Sequence, residues 1–201
     1  MPSPDASTPN LLRLTQARVH ERPLPAQDLV LPPGLSTVVG DERSGKTTLL
    51  RLISGDAPLA SGQRDGPRGA WLDLQWPGQD QSLPDECWAQ WARAWPQWNA
   101  GLADDLSAAM GLDEHRHKRL FMLSTGSRRK VALIALLACE APITCLDQPH
   151  SGLDGPSMGV LREFLNEGHG PPTRAWVVAD YSVDARVPWQ QLITLPAPRG
   201  Q

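Results

Sequence analysis

The chain has 201 residues, 40% of them hydrophobic and 20% charged, with a formal net charge of -3. This length suits one substantial domain with a small inserted subdomain and is short for two separate domains. The acidic balance gives no support to a nucleic-acid-binding surface. No apolar run approaches the roughly 18 to 20 residues that cross a bilayer, and the start MPSPDASTPN lacks the regions of a signal peptide. We therefore expect a cytosolic protein without a nucleic-acid partner.

The first part of the chain contains a strand-like segment and then a strand, a loop and a helix in succession. Residues 11–19 alternate loosely between apolar and polar and are followed by a proline-broken stretch, which is typical of an edge strand or hairpin. The run LSTVVG, residues 35–40, is rich in β-branched residues and leads through a Gly/Ser turn into the helical pattern KTTLLRLIS.

Later strands are predicted at 70–75, 143–147, 175–180 and 191–195, with helical stretches at 127–140 and 157–166. Alternating strands and helices predict an α/β fold with a mostly parallel sheet covered on both faces and an antiparallel β portion at the N-terminus. We expect one domain over 1–201, with its core at 10–75 and 131–196, a helical subdomain at about 76–130 and loose proline-rich ends.

Four tryptophans, Trp88, Trp91, Trp95 and Trp98, are spaced to line one face of a helix, which Pro96 should end or kink. Two interpretations remain open: packing in the core, or a face that docks a partner. The three cysteines have no metal-ligand spacing and are predicted to be buried free thiols.

The segment GDERSGKT, residues 40–47, matches the phosphate-binding pattern GxxxxGKS/T between a strand and a helix. Its glycines allow the turn, and backbone N–H groups at the helix N-terminus can surround phosphate oxygens. Lys46 would reach the β and γ phosphates of ATP, and the Thr47 hydroxyl would bind Mg²⁺. The candidate phosphate-binding residues are Gly40, Ser44, Gly45, Lys46, Thr47 and Thr48. About 100 residues later, the buried strand ITCLD ends in Asp147, an acid that can hold the same magnesium ion.

A third element, LSTGS at 123–127, opens a helix that leads to the Asp147 strand, and SGLD follows at 151–154. With these motifs in order from about Leu11 to Leu195, the sequence resembles the ATP-binding subunits of ABC transporters, a family with the P-loop NTPase fold. The resemblance implies that Ser124 and Gly126 bind ATP held by the opposite subunit. It also implies that Asp154 lies at the dimer seam and that Gln75 links the nucleotide site to the membrane subunits. Expected metal ligands are thus Thr47, Gln75 and Asp147.

The segment from AWPQWN to LSTGS, which we call the signature segment, is similar to exporter-type ATPases of the ABC-2 class. The short chain and compact helical region are also similar to the haem-exporter type. We prefer the first comparison. The expected partners are a second ATP-binding subunit, identical or not, and transmembrane subunits, with the chain peripheral to the inner face of the cell membrane.

Three positions depart from the family pattern. Gln148 stands where a glutamate polarises the attacking water, and an amide cannot accept a proton. Asp180 stands where a histidine contacts the γ-phosphate, and an anion there repels phosphate unless it is protonated, paired or turned away. The adenine-stacking aromatic residue is missing, which leaves His20 and Arg22 as planar groups.

These departures predict a site that binds ATP but cleaves it slowly. His150 is an alternative base, although the matching family position usually holds a small polar residue that is not placed to activate water. Two rival functions remain open: a non-hydrolysing, ATP-gated interaction module, and the degenerate half of a heterodimeric ATPase.

Overall fold

A computed structural model describes residues 10–20, 24–167 and 173–197, and these contain two sheets and five α-helices. The strands are β1 (Leu12–Val19), β2 (Gln27–Leu31), β3 (Gly34–Val39), β4 (Leu59–Asp65), β5 (Ile143–Asp147), β6 (Ala175–Asp180) and β7 (Gln191–Thr194). The helices are α1 (Lys46–Ser54), α2 (Pro84–Ala92), α3 (Ala100–Ala109), α4 (Thr125–Ala138) and α5 (Gly155–Asn166).

The N-terminal sheet is antiparallel, in the order β2-β1-β4. Strand β1 alternates buried and exposed residues as its sequence predicts, except at a bulge where Gln16 adopts a φ of 45°. Strand β4 escaped prediction because its sequence, LASGQRD, offers one large apolar residue and no alternation. The N-terminal antiparallel portion is therefore confirmed and is larger than expected.

The second sheet is parallel, in the order β5-β6-β3-β7. Successive residues of β5 and β6 enter two different cores: Leu146, Trp176 and Val178 pack with α4 and α5, while Cys145 and Val177 pack with α1 and β1. The sheet is thus covered on both faces, which confirms the predicted α/β fold. Because parallel strands end at the same edge, β3, β5 and β6 deliver their following loops to one place.

The strand predicted at 70–75 is wrong. Of these residues only Ala70 pairs with the sheet, through an isolated parallel bridge to Thr144 of β5. The chain then turns, and the Gln75 N–H donates a hydrogen bond to the Asp73 carboxylate at 2.8 Å. Arg128 of α4 stabilises the turn by donating to the carbonyls of Gln75 (2.5 Å) and Trp76 (2.8 Å). A long-range contact with a guanidinium therefore overrides the local strand propensity.

Between this turn and α4 the described elements are helical: α2, α3 and two short 3₁₀ turns. Helix α2 ends at Ala92, ahead of Pro96. Trp88 and Trp95 are 4% and 7% exposed, Trp91 and Trp98 are partly buried against the same core, and the Trp88 indole N–H donates to the Val131 carbonyl at 2.9 Å. Core packing is therefore the interpretation that the burial supports. The boundaries of a separate subdomain stay a prediction.

Cys87, Cys139 and Cys145 are buried free thiols, as predicted, and burial raises the pKa of Cys87 to about 11. Within the described ranges, no helix combines the length and apolar composition that a membrane span requires.

Candidate functional site

The loop between β3 and α1 encloses a cavity of about 320 Å³. Gly45 caps α1 with a φ of 100°, and a Cβ placed there would lie 2.8 Å from Leu24 Cδ1. A Cβ on Gly40 would lie 2.5 Å from Ser44 Oγ, a buried hydroxyl oxygen that forms no hydrogen bond with the described residues. The loop therefore needs both glycines. The cavity is lined by Leu24, Glu42, Arg43, Ser44, Gly45, Lys46, Thr47, Thr48, Gln148 and Tyr181.

Lys46 is 5% exposed, and its ammonium group lies across this loop. Nζ donates to the carbonyl oxygens of Gly40 (2.5 Å) and Asp41 (2.8 Å) and lies 4.3 Å from the centre of the Tyr181 ring. The ring face partly compensates the buried cation. Sequence reasoning missed Tyr181, although it directly follows Asp180 at the end of β6.

Thr47 and Asp147 meet at the edge where α1 begins and β5 ends. Thr47 Oγ1 donates to Asp147 Oδ2 at 2.5 Å, while Asp147 Oδ1 is buried and has no partner among the described residues. Burial raises the pKa of Asp147, against the opposing effects of the Thr47 hydrogen bond and of Lys46. An orphaned carboxylate oxygen beside a hydroxyl is a donor set that fits Mg²⁺, which prefers hard oxygen ligands.

Asp73 lies where Gln75 was expected. A second cavity, of about 280 Å³, is lined by Thr47, Trp71, Asp73, Leu74, Arg129, Asp147 and Gln148. Gln75 is exposed and is not among these residues. The negative charge of Asp73 also acts on the Asp147 carboxyl, in the direction that raises its pKa. The assignment of Gln75 to the metal stays a prediction. Asp73 is an additional candidate, which the sequence did not indicate because residues 70–75 were expected to form a strand.

Gln148 follows Asp147 with a φ of 45°, and its backbone is held on both sides. Its N–H donates to the Ala179 carbonyl of β6 at 2.8 Å, and its carbonyl accepts from Arg129 Nη2 at 2.8 Å. Gln148 lines both cavities, so an amide is presented beside the phosphate loop and the candidate metal site. An amide can orient water there and cannot take up a proton.

Asp180 is paired. His150 Nδ1 lies 3.3 Å from Asp180 Oδ2, and the Tyr181 N–H donates to Oδ1 at 2.7 Å. Burial acts to raise the pKa of Asp180, but these hydrogen bonds, together with electrostatic interactions with His150 and Lys46, outweigh it and lower the pKa. Asp180 is therefore an ionised carboxylate that faces an imidazole.

The signature segment lies at the start of α4. Ser124 is the N-cap, and its exposed hydroxyl accepts from the Ser127 N–H at 3.1 Å. A Cβ on Gly126 would lie 2.6 Å from the Gly152 carbonyl oxygen, so only glycine allows the first turn of α4 to approach the loop at 151–154. Ser124 lines a separate cavity of about 220 Å³, and none of the described residues lines both this cavity and the phosphate-loop cavity.

Asp154 caps α5 and joins it to α4. Oδ1 accepts from the Ser157 N–H at 2.9 Å, and Oδ2 lies 2.6 Å from Lys130 Nζ. The hydrogen bond from Lys130 lowers the pKa of Asp154, and the Ser157 contacts add to the effect. The candidate dimer-seam acid thus also stabilises the fold of its own chain.

The structure describes one of the two residues that could stack on adenine. His20 is exposed just beyond the end of β1, whereas Arg22 lies outside the described residues. Leu24 lines the phosphate-loop cavity from the same connection.

Comparison with known proteins agrees with this geometry. The sequence profile described as ABC transporter matches residues 30–151, more than half of the chain. The cytochrome c biogenesis ATP-binding export protein CcmA of Bradyrhizobium diazoefficiens is 32% identical over 152 residues, which cover 65% of this chain and 72% of that protein. The aliphatic sulfonates import ATP-binding protein SsuB 2 of Frankia alni is 32% identical over 145 residues, which cover 67% of this chain and 55% of that protein.

Solved structures give the same fold. An ABC transporter ATP-binding protein from Pyrococcus furiosus superimposes with a TM-score of 0.70 at 17% identity, covering 92% of this chain and 96% of that one. A structure described as the ATP-binding subunit of an ABC transporter gives a TM-score of 0.66 at 17% identity, covering 85% and 79%. With the phosphate loop, the Thr47–Asp147 contact and the signature helix, these findings show that the chain belongs to the ABC transporter family, as an ATP-binding subunit.

Proposed function

We propose that this subunit binds Mg-ATP between two head-to-tail copies of the fold, drives transmembrane partner subunits in export, and hydrolyses ATP slowly. The observation that carries the proposal is the Thr47–Asp147 contact beside the buried Lys46 ammonium. These residues provide a cation for phosphate oxygens, a hydroxyl, and a carboxylate oxygen free to approach a metal. Mg²⁺ at such a site neutralises charge on the β and γ phosphates.

Each residue has a defined part in binding. Backbone N–H groups at the start of α1 would contact the phosphates, and Lys46 would exchange its two carbonyl partners for phosphate oxygens. Thr47 and Asp147 would hold the metal, with Asp73 or Gln75 completing the site. Raised by burial, the pKa of Asp147 would fall when a divalent cation binds, because the cation favours the carboxylate.

Slow hydrolysis follows from Gln148. Its side chain lines the cavities where a base is required, and an amide cannot take the proton of the attacking water. General-base assistance is worth a factor of ~10²–10⁴ in rate, so its loss leaves a long-lived bound state. Asp180, held by His150, replaces the histidine that the family places next to the γ-phosphate.

Dimerisation is supported by the separation of the two halves of the site. Ser124 and the phosphate loop line different cavities, so a second subunit would bring its own Ser124 to this phosphate loop and would receive this Ser124 at its own phosphate loop. An exposed Ser124 hydroxyl at the N-terminus of the 14-residue α4 suits a phosphate brought by a second subunit.

Export and location rest on resemblance. The CcmA relatives are named export proteins, whereas the SsuB relative is named an import protein. We favour export because several relatives are named export proteins and because the signature region is similar to the ABC-2 exporters. The subunit would then lie in the cytoplasm, at the inner face of the membrane.

The decisive experiment compares wild-type protein with Gln148→Glu and Gln148→Glu/Asp180→His. We expect fluorescent-nucleotide binding that requires Mg²⁺, slow steady-state turnover in wild type, and turnover at least about tenfold faster in the double variant. Light scattering with and without ATP measures the dimer. Wild-type turnover that neither change raises, at the level of a family member with the usual glutamate and histidine, would contradict the impaired site.

A heterodimeric arrangement predicts a different result in the same assay. The isolated chain would bind ATP without forming a dimer, and adding an ATP-binding subunit with intact catalytic residues would produce both dimer and turnover. ATP-dependent dimerisation with no turnover in any variant would favour the non-hydrolysing module.

A further inference from the structure

The side chain of Tyr181 lies against the ammonium group of Lys46 and forms part of the wall of the phosphate-loop cavity. The centre of its ring is 4.3 Å from Lys46 Nζ, and Tyr181 is among the residues that line this cavity. Lys46 is almost wholly buried, whereas Tyr181 is 54% exposed. A ligand that enters the cavity and reaches Lys46 therefore also meets Tyr181.

The backbone at Tyr181 is held by the residue before it. The Tyr181 N–H donates to Asp180 Oδ1 at 2.7 Å, and Asp180 Oδ2 lies 3.3 Å from His150 Nδ1. Asp180 is not among the described residues that line the phosphate-loop cavity. The end of β6 thus presents a phenol, and not a carboxylate, to that cavity.

The contact between the ring and Lys46 is compatible with phosphate binding. An ammonium group has three N–H donors, and two of them serve the carbonyls of Gly40 and Asp41. Phosphate oxygens can replace these two carbonyls while the ring face keeps its contact with the cation. The Tyr181 hydroxyl is bonded to the edge of the same ring, so a phosphate group held by Nζ comes close to it.

We propose that Tyr181 binds the terminal phosphate of ATP through its hydroxyl while its ring stays against the Lys46 ammonium group. This inference rests on the proposed function, because it assigns a further contact to the same nucleotide site. The hydroxyl donates to a phosphate oxygen, and a hydrogen bond to a charged acceptor is stronger than one between neutral groups. ADP ends one phosphate earlier, so the contact favours ATP over ADP.

This assignment agrees with slow hydrolysis. A phenol hydroxyl gives the phosphate a hydrogen-bond donor, and it does not supply the proton acceptor that the Gln148 amide also lacks. Tyr181 therefore strengthens the binding of ATP without replacing the missing base. The tyrosine acts as a specificity-determining residue, which distinguishes a triphosphate from a diphosphate.

The first test measures the affinities of wild type, Tyr181→Phe and Tyr181→Leu for ADP and for adenylyl imidodiphosphate, a non-hydrolysable ATP analogue, by titration calorimetry with Mg²⁺. Tyr181→Phe keeps the ring and removes only the hydroxyl. We expect it to bind the analogue about tenfold more weakly, or worse, while its affinity for ADP stays within about twofold of wild type. Tyr181→Leu loses the ring contact as well and should bind the analogue no more tightly than Tyr181→Phe.

Ser182→Ala is the matched control. It removes a hydroxyl from the neighbouring residue, which is also exposed. Both affinities of this variant should stay within about twofold of the wild-type values, because a change below that size is under 0.5 kcal/mol.

The second test observes the ring directly. Tyr181 is the only tyrosine in the chain, so labelling with fluorotyrosine gives a single fluorine-19 resonance that needs no assignment. The resonance should shift more when the analogue binds than when ADP binds, because only the analogue brings a terminal phosphate to the hydroxyl. Equal shifts with the two nucleotides would contradict a contact with that phosphate.

The outcomes separate the two levels of inference. Absence of Mg-dependent nucleotide binding in wild type would overturn the proposed function and this contact with it. Normal wild-type binding with unchanged affinity for the analogue in Tyr181→Phe would overturn the role of the hydroxyl alone. An equal loss of affinity for both nucleotides would show that the hydroxyl does not act on the terminal phosphate. Tighter binding in Tyr181→Leu would show instead that the ring blocks the cavity, and would also overturn the proposal.

Discussion

Thr47 Oγ1 lies 2.5 Å from Asp147 Oδ2, and this contact joins the first turn of α1 to the end of β5 across 100 residues of sequence. The hydroxyl engages one carboxylate oxygen and leaves the other buried, with no hydrogen-bond partner in the described part of the chain. The contact therefore holds Asp147 in position for a metal while keeping a ligand oxygen available.

Asp147→Asn should weaken nucleotide binding in the presence of Mg²⁺ by about 10- to 100-fold, the equivalent of one charge-assisted contact of ~1.5–3 kcal/mol. The neutral amide can still accept from Thr47, so the fold should persist. Titration with a fluorescent nucleotide, with and without a chelator, measures the effect. Asp105→Asn, on the exposed side of α3, is the control. Equal loss with and without Mg²⁺ would show that Asp147 acts on the fold instead.

Asp73 and Gln75 are alternative candidates for a further metal ligand, and the two assignments predict different effects of substitution on metal binding. Since Asp73 lines the cavity with Thr47 and Asp147, Asp73→Asn should weaken Mn²⁺ binding about tenfold through loss of a charged oxygen ligand. The asparagine oxygen can still accept the Gln75 N–H, so the turn is kept. Gln75→Ala should have a smaller effect. Electron paramagnetic resonance with Mn²⁺ and a non-hydrolysable nucleotide gives the affinities, and the reverse order would restore Gln75 as the ligand.

The parts of the site that the sequence predicts are those set by local chemistry. The glycine spacing of the phosphate loop, the buried run before Asp147 and the cap at Ser124 all depend on neighbours in the chain. Asp73 was missed because its position depends on a turn held by Arg128, 53 residues away from Gln75. The Tyr181 ring lies against the buried ammonium group of Lys46 on α1. His150 and Asp180, which form a pair, are 30 residues apart in the sequence. Such contacts have no periodic signature.

The Lys130–Asp154 ion pair should make stability depend on acid pH. The pKa of Asp154 lies below its unfolded value, so its contribution is fully present above an unfolded pKa of about 3.9 and is lost as the pH falls through the lower, folded value. Lys130→Met keeps the apolar stem of a buried side chain and removes the partner charge. Urea unfolding at pH 7 and pH 3 should show a smaller acid-induced loss in the variant. An identical loss in both proteins would assign the acid dependence to other carboxylates.

The contact of Gly126 with the loop at 151–154 predicts opposite effects for two glycine substitutions. Gly126→Ala places a methyl group 2.6 Å from the Gly152 carbonyl oxygen, and the resulting shift should destabilise the fold by about 1–3 kcal/mol. A Cβ on Gly159, inside α5, would meet no atom of the described residues within 4 Å, so Gly159→Ala should stabilise the fold by about 0.5–1 kcal/mol through helix propensity. Chemical denaturation gives both values.

Because the strain at Gly126 also moves the signature turn against the loop that carries Asp154, ATP-dependent dimerisation should weaken in Gly126→Ala and stay unchanged in Gly159→Ala. A stabilised or neutral Gly126→Ala would show that α4 and the loop separate freely.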